Sequence, residues 1–172
     1  MPFGRQHPTE MYATMAVTQA EGNSIALVGT GAPELAPPVA PQPLTGGNYE
    51  GYVKVTGFSL ERANNMQVVG NEIVAEFNGV YIVSVGWGTF RHSANNATVA
   101  FVLAVERAGT LSFSQRPTGD RVANLGDPSN VSGGGTIELL KDDKLSVWVA
   151  TDVSGNVVLS NANVSIHGLK QT

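Results

Sequence analysis

Cysteine is missing from this chain altogether, which excludes disulfide bonds, thiolate nucleophiles and cysteine-based zinc sites in one step. Charge is scarce too: 14% of the residues are Asp, Glu, Lys or Arg, against about a quarter in an ordinary globular chain. The ten basic residues form no cluster and the formal net charge is −4. The phosphate-neutralising contacts that dominate nucleic-acid affinity therefore have no source, and an anionic membrane surface is disfavoured for the same reason. No apolar run approaches the ~20 residues of a membrane-crossing helix. Residues 1–19 have no basic stretch followed by an apolar core, so no export signal is expected.

Reactive constellations are lacking as well. His7, His92 and His167 stand alone, with no second ligand at metal-binding spacing, so neither a metal nor a cofactor is expected. Asp142, Asp143 and Asp152 have the oxygen chemistry calcium prefers, but adjacent acids in a turn are expected to be solvated. Gly29-Thr30-Gly31 and Gly133-Gly134-Gly135 complete no phosphate-binding fingerprint, and no nucleophile motif frames any serine. Catalysis is not expected. The sequons at Asn96, Asn130 and Asn163 carry little meaning without an export signal.

What the chain has is glycine, 20 residues of it, and short apolar runs separated by turn chemistry. This is the pattern of an all-β protein. Residues 133–149 form its clearest unit: Ile137 and Leu139, then Leu145, Val147 and Val149, alternate on either side of a polar turn at 141–144. A hairpin is expected there, with the three glycines marking a bend. Asn78-Gly79 signals another hairpin. Val99, Phe101, Leu103 and Val105 alternate with small apolar residues, so this strand is expected to be buried on both faces. Residues 116–135 read as a long irregular loop.

The first 47 residues differ in kind. Seven of the nine prolines fall there (Pro2, Pro8, Pro33, Pro37, Pro38, Pro41 and Pro43), and residues 32–44 suit an extended polyproline spacer. Two domains follow from this: an extended N-terminal arm, 1–47, and a β-sandwich, 48–172. The arm carries Phe3, Met11, Tyr12, Met15, Val17, Ile25 and Leu27, more apolar than a disordered tail needs. It is expected to order by lying against another subunit or a larger assembly, the alternative being an unordered leader, as termini are unless tied down.

Within residues 48–172 three elements resemble the C1q/TNF-like trimeric jelly roll. An aromatic, a glycine turn and a strand-opening tyrosine match Phe77, Gly79 and Tyr81. A strand, an acidic turn and an apolar strand match residues 137–140, 141–143 and 145–149, with Asp142-Asp143 where the family commonly has Gly-Asp. A terminal strand matches Val164, Ser165, Ile166, His167, Gly168 and Leu169. The resemblance implies a jelly-roll β-sandwich that forms a homotrimer and acts by binding. Modules of this kind also look like phage capsid decoration proteins and fibre heads. The expected role is a capsid decoration, or cement, protein on the virion exterior, made in the host cytoplasm. Its partners are itself and the major capsid protein, contacted through the arm, with no nucleic acid or membrane. The alternative is a receptor- or glycan-binding head using loop 116–135. Phe77, Tyr81, Trp87, Phe90, Phe101 and Trp148 are expected in the core or the trimer interface.

Overall fold

Apolar residues at every second position give a strand one buried face, and two such strands on opposite layers can share a core. A computed structural model describes residues 9–29, 51–113 and 118–170. Among these the pattern builds strands and no helix. In chain order they are β1 (Thr9–Leu27), β2 (Val53–Lys54), β3 (Ser59–Asn64), β4 (Met66–Val69), β5 (Glu72–Ala75) and β6 (Gly79–His92). Then come β7 (Ala97–Arg107), β8 (Thr110–Phe113), β9 (Thr118–Val122), β10 (Ser129–Leu139), β11 (Lys144–Thr151) and β12 (Gly155–Lys170). The first sheet runs β10, β6, β12, β1, β3. In the second, β4, β5, β11, β7 and β8 lie in order, with β2 added to β11 and β9 to β7. Every pairing is antiparallel. The result is the all-β jelly-roll sandwich.

The core lies between the sheets. Trp87 stacks on Phe101 with ring centroids 4.7 Å apart, and Phe90 meets the same ring edge-on at 5.2 Å. The Trp87 indole N–H donates to Thr118 Oγ1 at 2.9 Å, which satisfies the one polar group the stack buries. Tyr81 is buried, its hydroxyl donates to the Phe77 carbonyl at 2.7 Å, and burial pushes its ionisation up. Strand β7 is buried on both faces as expected. Val99, Phe101, Leu103 and Val105 point into the core, while Val102 and Ala104 join Tyr52, Trp148 and Ala150 in a second apolar cluster on the far side.

One ion pair locks a layer crossing. Arg107 makes a bidentate contact to the buried Asp143 carboxylate at 2.7–3.1 Å, and Leu140 N–H donates to the same carboxylate at 2.7 Å. Burial alone would raise the Asp143 carboxyl. The hydrogen bonds from Arg107 and Leu140 outweigh it and hold the group below the ordinary carboxylate range.

Several expectations need correction. Strand β1 is not an arm. Met11, Ala13, Met15, Val17, Ile25 and Leu27 are all buried, and β1 lies between β12 and β3 of its own chain. The physical reason is their alternation: Met11 to Val17 present one apolar face, which a sheet with a free position beside β12 buries. The boundary at 47/48 therefore separates β1 from the domain it belongs to. Phe3 and the prolines at 33–43 lie outside the described residues. The hairpin expected at 133–149 is a crossing between layers, because β10 pairs with β6 and β11 with β7. Its three glycines lie within β10, where a Cβ on Gly134 would meet the Val83 carbonyl oxygen at 2.7 Å. Asn78-Gly79 likewise joins strands of different sheets, and the Asn78 side-chain oxygen accepts the Lys141 N–H at 2.7 Å. The segment expected as a long loop supplies β9 and most of β10.

Candidate functional site

The site that stands out is the open face of the first sheet. Along β6, Tyr81, Val83, Val85 and Trp87 point inward, so Val80, Ile82, Ser84 and Gly86 point out. Solvent-facing positions in a two-layer sandwich are ordinarily polar. Val80 and Ile82 are instead aliphatic and 65% and 62% exposed.

The strand register converts this alternation into rows across the sheet. Thr136, Ile82, His167, Tyr12 and Asn64 form one row; Gly134, Ser84, Ser165, Thr14 and Arg62 form the next. A third contains Ser132, Gly86, Asn163 and Ala16. Apart from Arg62 at its edge, the second and third rows are thus uncharged and mostly small. Thr14 and Ser165 hydroxyls share a hydrogen bond at 3.2 Å. On Gly86 a Cβ would stand 3.1 Å from the Asn163 side chain, and on Gly88 it would stand 3.1 Å from the Asn161 carbonyl oxygen.

Strand β3 walls the face on one side. The Arg62 guanidinium carbon lies 5.8 Å from the centre of the Tyr12 ring, within cation–π range. Asn64 and Asn65 fasten the edge by donating to the Glu10 carbonyl at 2.9 and 3.0 Å. Between this wall and β12 runs a groove of about 500 Å³ lined by Thr14, Arg62, Gly88, Asn161, Asn163 and Ser165, among others. An adjoining hollow of about 310 Å³ reaches Glu10, Tyr12 and His167.

The residues singled out from the sequence fall elsewhere. Tyr81, Trp87, Phe90 and Phe101 lie between the sheets, Phe77 is half-buried against that core, and Trp148 belongs to the outer cluster of the second sheet. Of the proposed arm residues among those described, Tyr12 alone faces the open side. The three acidic residues do not gather: Asp143 binds Arg107, and Asp152 accepts the Thr98 N–H at 2.7 Å. Among the described residues no group of three or more His, Cys, Asp or Glu could hold a metal. His92 is buried, with Nδ1 accepting the Ala94 N–H at 2.9 Å. His167 is exposed on the open face. The residues missed were Val80, Ile82, Thr14 and Ser165. The signal for Val80 and Ile82 was present in residues 80–85, which are apolar on both alternating sets until Ser84, whereas Thr14 and Ser165 join the face only through the strand register.

No protein-family model and no curated protein matches the chain. Solved structures do. The Eiger TNF of S. frugiperda superposes with a TM-score of 0.63 at 12% identity, covering 96% of each chain. Murine APRIL at pH 8.0 gives 0.60 at 10% identity, covering 94% of this chain and all of that one. The globular domain of the zebrafish complement 1qA protein gives 0.54 at 11% identity, over 95% of this chain and all of that one. At such identities the likeness is one of fold, that of the C1q/TNF-like jelly roll.

Proposed function

We propose that this protein is a homotrimeric decoration, or cement, protein on the exterior of a bacteriophage capsid, acting by binding and made in the host cytoplasm. The observation that carries the self-association is the exposed aliphatic pair Val80 and Ile82, set beside rows of mostly small uncharged residues. Five strands about 4.8 Å apart, over a seven-residue run, span roughly 480 Å² in projection. The ~800 Å² per partner typical of stable complexes exceeds this flat projection, so side-chain relief and the surface adjoining the face supply the remainder. The occupant of the face is a second copy of the chain. The C1q/TNF-like fold and the lack of charge at the centre of the face both support that reading.

The capsid partner is the major capsid protein. Three copies joined on one axis bind a repeating lattice with an avidity that no single contact needs to supply. The side chains of Met11, Met15, Val17, Ile25 and Leu27 are unavailable as anchors because they are committed to the core, and we assign the lattice contact to the surface of the trimer. The test is native mass spectrometry followed by co-sedimentation with capsids stripped of this protein. A mass of three 18.0 kDa chains and saturable binding in multiples of three are expected. A monomer at micromolar concentration would refute self-association. A trimer that ignores capsids and binds receptor glycans would instead favour a fibre head.

A further inference from the structure

We infer that the groove between β3 and β12 is a binding site for a neutral saccharide. The inference goes beyond the capsid reading and does not rest on it. The flat area around Val80 and Ile82 ends near Gly86, whereas Gly88 and Asn161 of the groove lie past that point. Two bulges make the hollow there. On β6 the run from Gly86 to Thr89 opposes the shorter run from Asn163 to Asn161 on β12, and on β3 the run from Leu60 to Arg62 opposes Met15 and Thr14 alone. Bulged strands bend and twist more than their neighbours, so the sheet surface dips between the two. Glu61 is the extra residue on β3, and the bulge brings it to the groove beside Arg62.

The lining offers paired donors and acceptors on a floor of small residues. Asn161 and Asn163 are exposed and sit two apart on β12, so their carboxamides face the same side about 7 Å apart along the strand. Each carboxamide presents two donor hydrogens and an acceptor oxygen. Among the described residues neither of them, nor the Glu61 carboxylate, has a hydrogen-bond or ion-pair partner within the chain. Thr14 and Ser165, joined to each other at 3.2 Å, add two hydroxyls beyond Asn163. Gly88 and Ala16 lie among them and leave the space free.

This lining selects among ligand classes. The one carboxylate and the one guanidinium cancel in net charge, so neither a phosphate nor an ammonium ligand finds an excess of counter-charge. No large apolar side chain lines the groove, which leaves a fatty or aromatic ligand without cover. An added peptide strand needs free backbone groups, and β1 and β12 beneath the groove are each paired on both sides. A hydroxylated ring meets none of these objections. Every sugar hydroxyl donates and accepts, as carboxamides and hydroxyls do, and the volume of about 500 Å³ falls within the range of small-molecule sites.

The experiment applies the full chain to a panel of immobilised neutral di- and trisaccharides, with sialylated and sulfated counterparts alongside, and then titrates the best neutral trisaccharide by calorimetry. At least one neutral saccharide is expected to bind, with no gain from the charged forms. The double variant Asn161→Ala, Asn163→Ala removes two unpartnered surface carboxamides and is expected to weaken that binding at least tenfold. Its melting temperature should stay within about 2 °C of the parent. Should the double variant melt lower, Glu61→Gln reads the same groove from β3 and is expected to weaken binding as well. A parent that binds none of the neutral saccharides, or only the charged ones, overturns the inference. So does a double variant that stays folded and binds as the parent does, since the saccharide would then sit elsewhere on the chain.

Discussion

Replacing Met15 by alanine discriminates between a core strand and a projecting arm. Met15 is fully buried, and its β1 position pairs with Val164 of β12 on one side and Leu60 of β3 on the other. Truncating a buried methionine removes its transfer energy and leaves a cavity, at a cost of about 2–5 kcal/mol. Total stabilities of single domains run to about 5–15 kcal/mol, so the loss is a large fraction. At this length each kcal/mol moves the melting temperature by about 2–4 °C, which predicts a fall of about 4–20 °C. Met11→Ala, on the same buried face and about 13 Å along the strand, should add nearly independently. Ser24→Ala, at an exposed position of the same strand, should stay within about 0.5 kcal/mol. Thermal and urea unfolding followed by circular dichroism measure all three. A chain starting at residue 28 carries the argument further. It escapes the ordering cost of β1, but β12 loses its ladder partner on that side and the core loses six apolar side chains, so cooperative unfolding should disappear. A Met15→Ala melting temperature within a degree of the parent, or a cooperative melt of the shortened chain, would refute the placement of β1 in the core.

Three further outcomes follow from the fold. The Asp143 carboxyl is held below its ordinary value, so its contribution is complete above the unfolded carboxylate value of about 4 and is lost as pH falls through the folded one. Asp143→Asn should therefore destabilise at neutral pH and flatten the acid limb of a stability–pH curve below about pH 4; an unchanged limb would assign acid unfolding to other groups. Gly134→Ala forces a methyl against the Val83 carbonyl and should cost about 1–3 kcal/mol. Gly86→Ala meets only the exposed Asn163 side chain, which can swing aside, so equal losses at the two glycines would contradict the geometry. Thr118→Val keeps the shape but strands the Trp87 indole N–H, at a cost of about 1–3 kcal/mol in urea titration, together with a changed tryptophan emission.

The strand content of this chain was legible because alternation reports burial directly. Val99 to Val105 announced a strand covered on both sides, and the second apolar cluster around Trp148 supplies the cover. Alternation does not report pairing. Residues 137–139 and 145–149 each display an inward face, and nothing in that pattern says whether they face each other across one sheet or stand in opposite layers. The turn at 140–143 is short enough for either, and in the structure it carries the chain from one sheet to the other, where β11 pairs with β7 and Asp143 meets Arg107. The arm was misread for a related reason. Prolines at 33–43 mark an interruption in the chain, but an interruption in sequence does not mark the edge of a sheet, and the first strand and the last pair along their length. The open face was the hardest to see. Val80 and Ile82 look like core in isolation, and they become a surface feature only when Tyr81 and Val83 are known to have taken the inside.

That division of β6 keeps the two proposed properties separable. One set of alternate positions builds the core and the other builds the open face, so a slip of one residue would expose Tyr81 and Trp87 and bury Ser84 and Gly86. The heavy inward aromatics fix the register against such a slip. Past Gly86 the pattern resets: Trp87 and Phe90 both point inward, yet they oppose Val131 and Ser129, only two residues apart on β10. The extra residue on β6 is a bulge, which bends the strand and strengthens its local twist. The flat part of the face therefore ends near Gly86, with Val80, Ile82 and His167 all on the same side of the bulge. Substitutions at Val80 or Ile82 should accordingly change association while leaving the melting temperature of the monomer nearly fixed, whereas substitutions at Tyr81 or Trp87 should lower it sharply. A matched loss of both properties at Ile82 would mean that the sandwich does not stand without its partners.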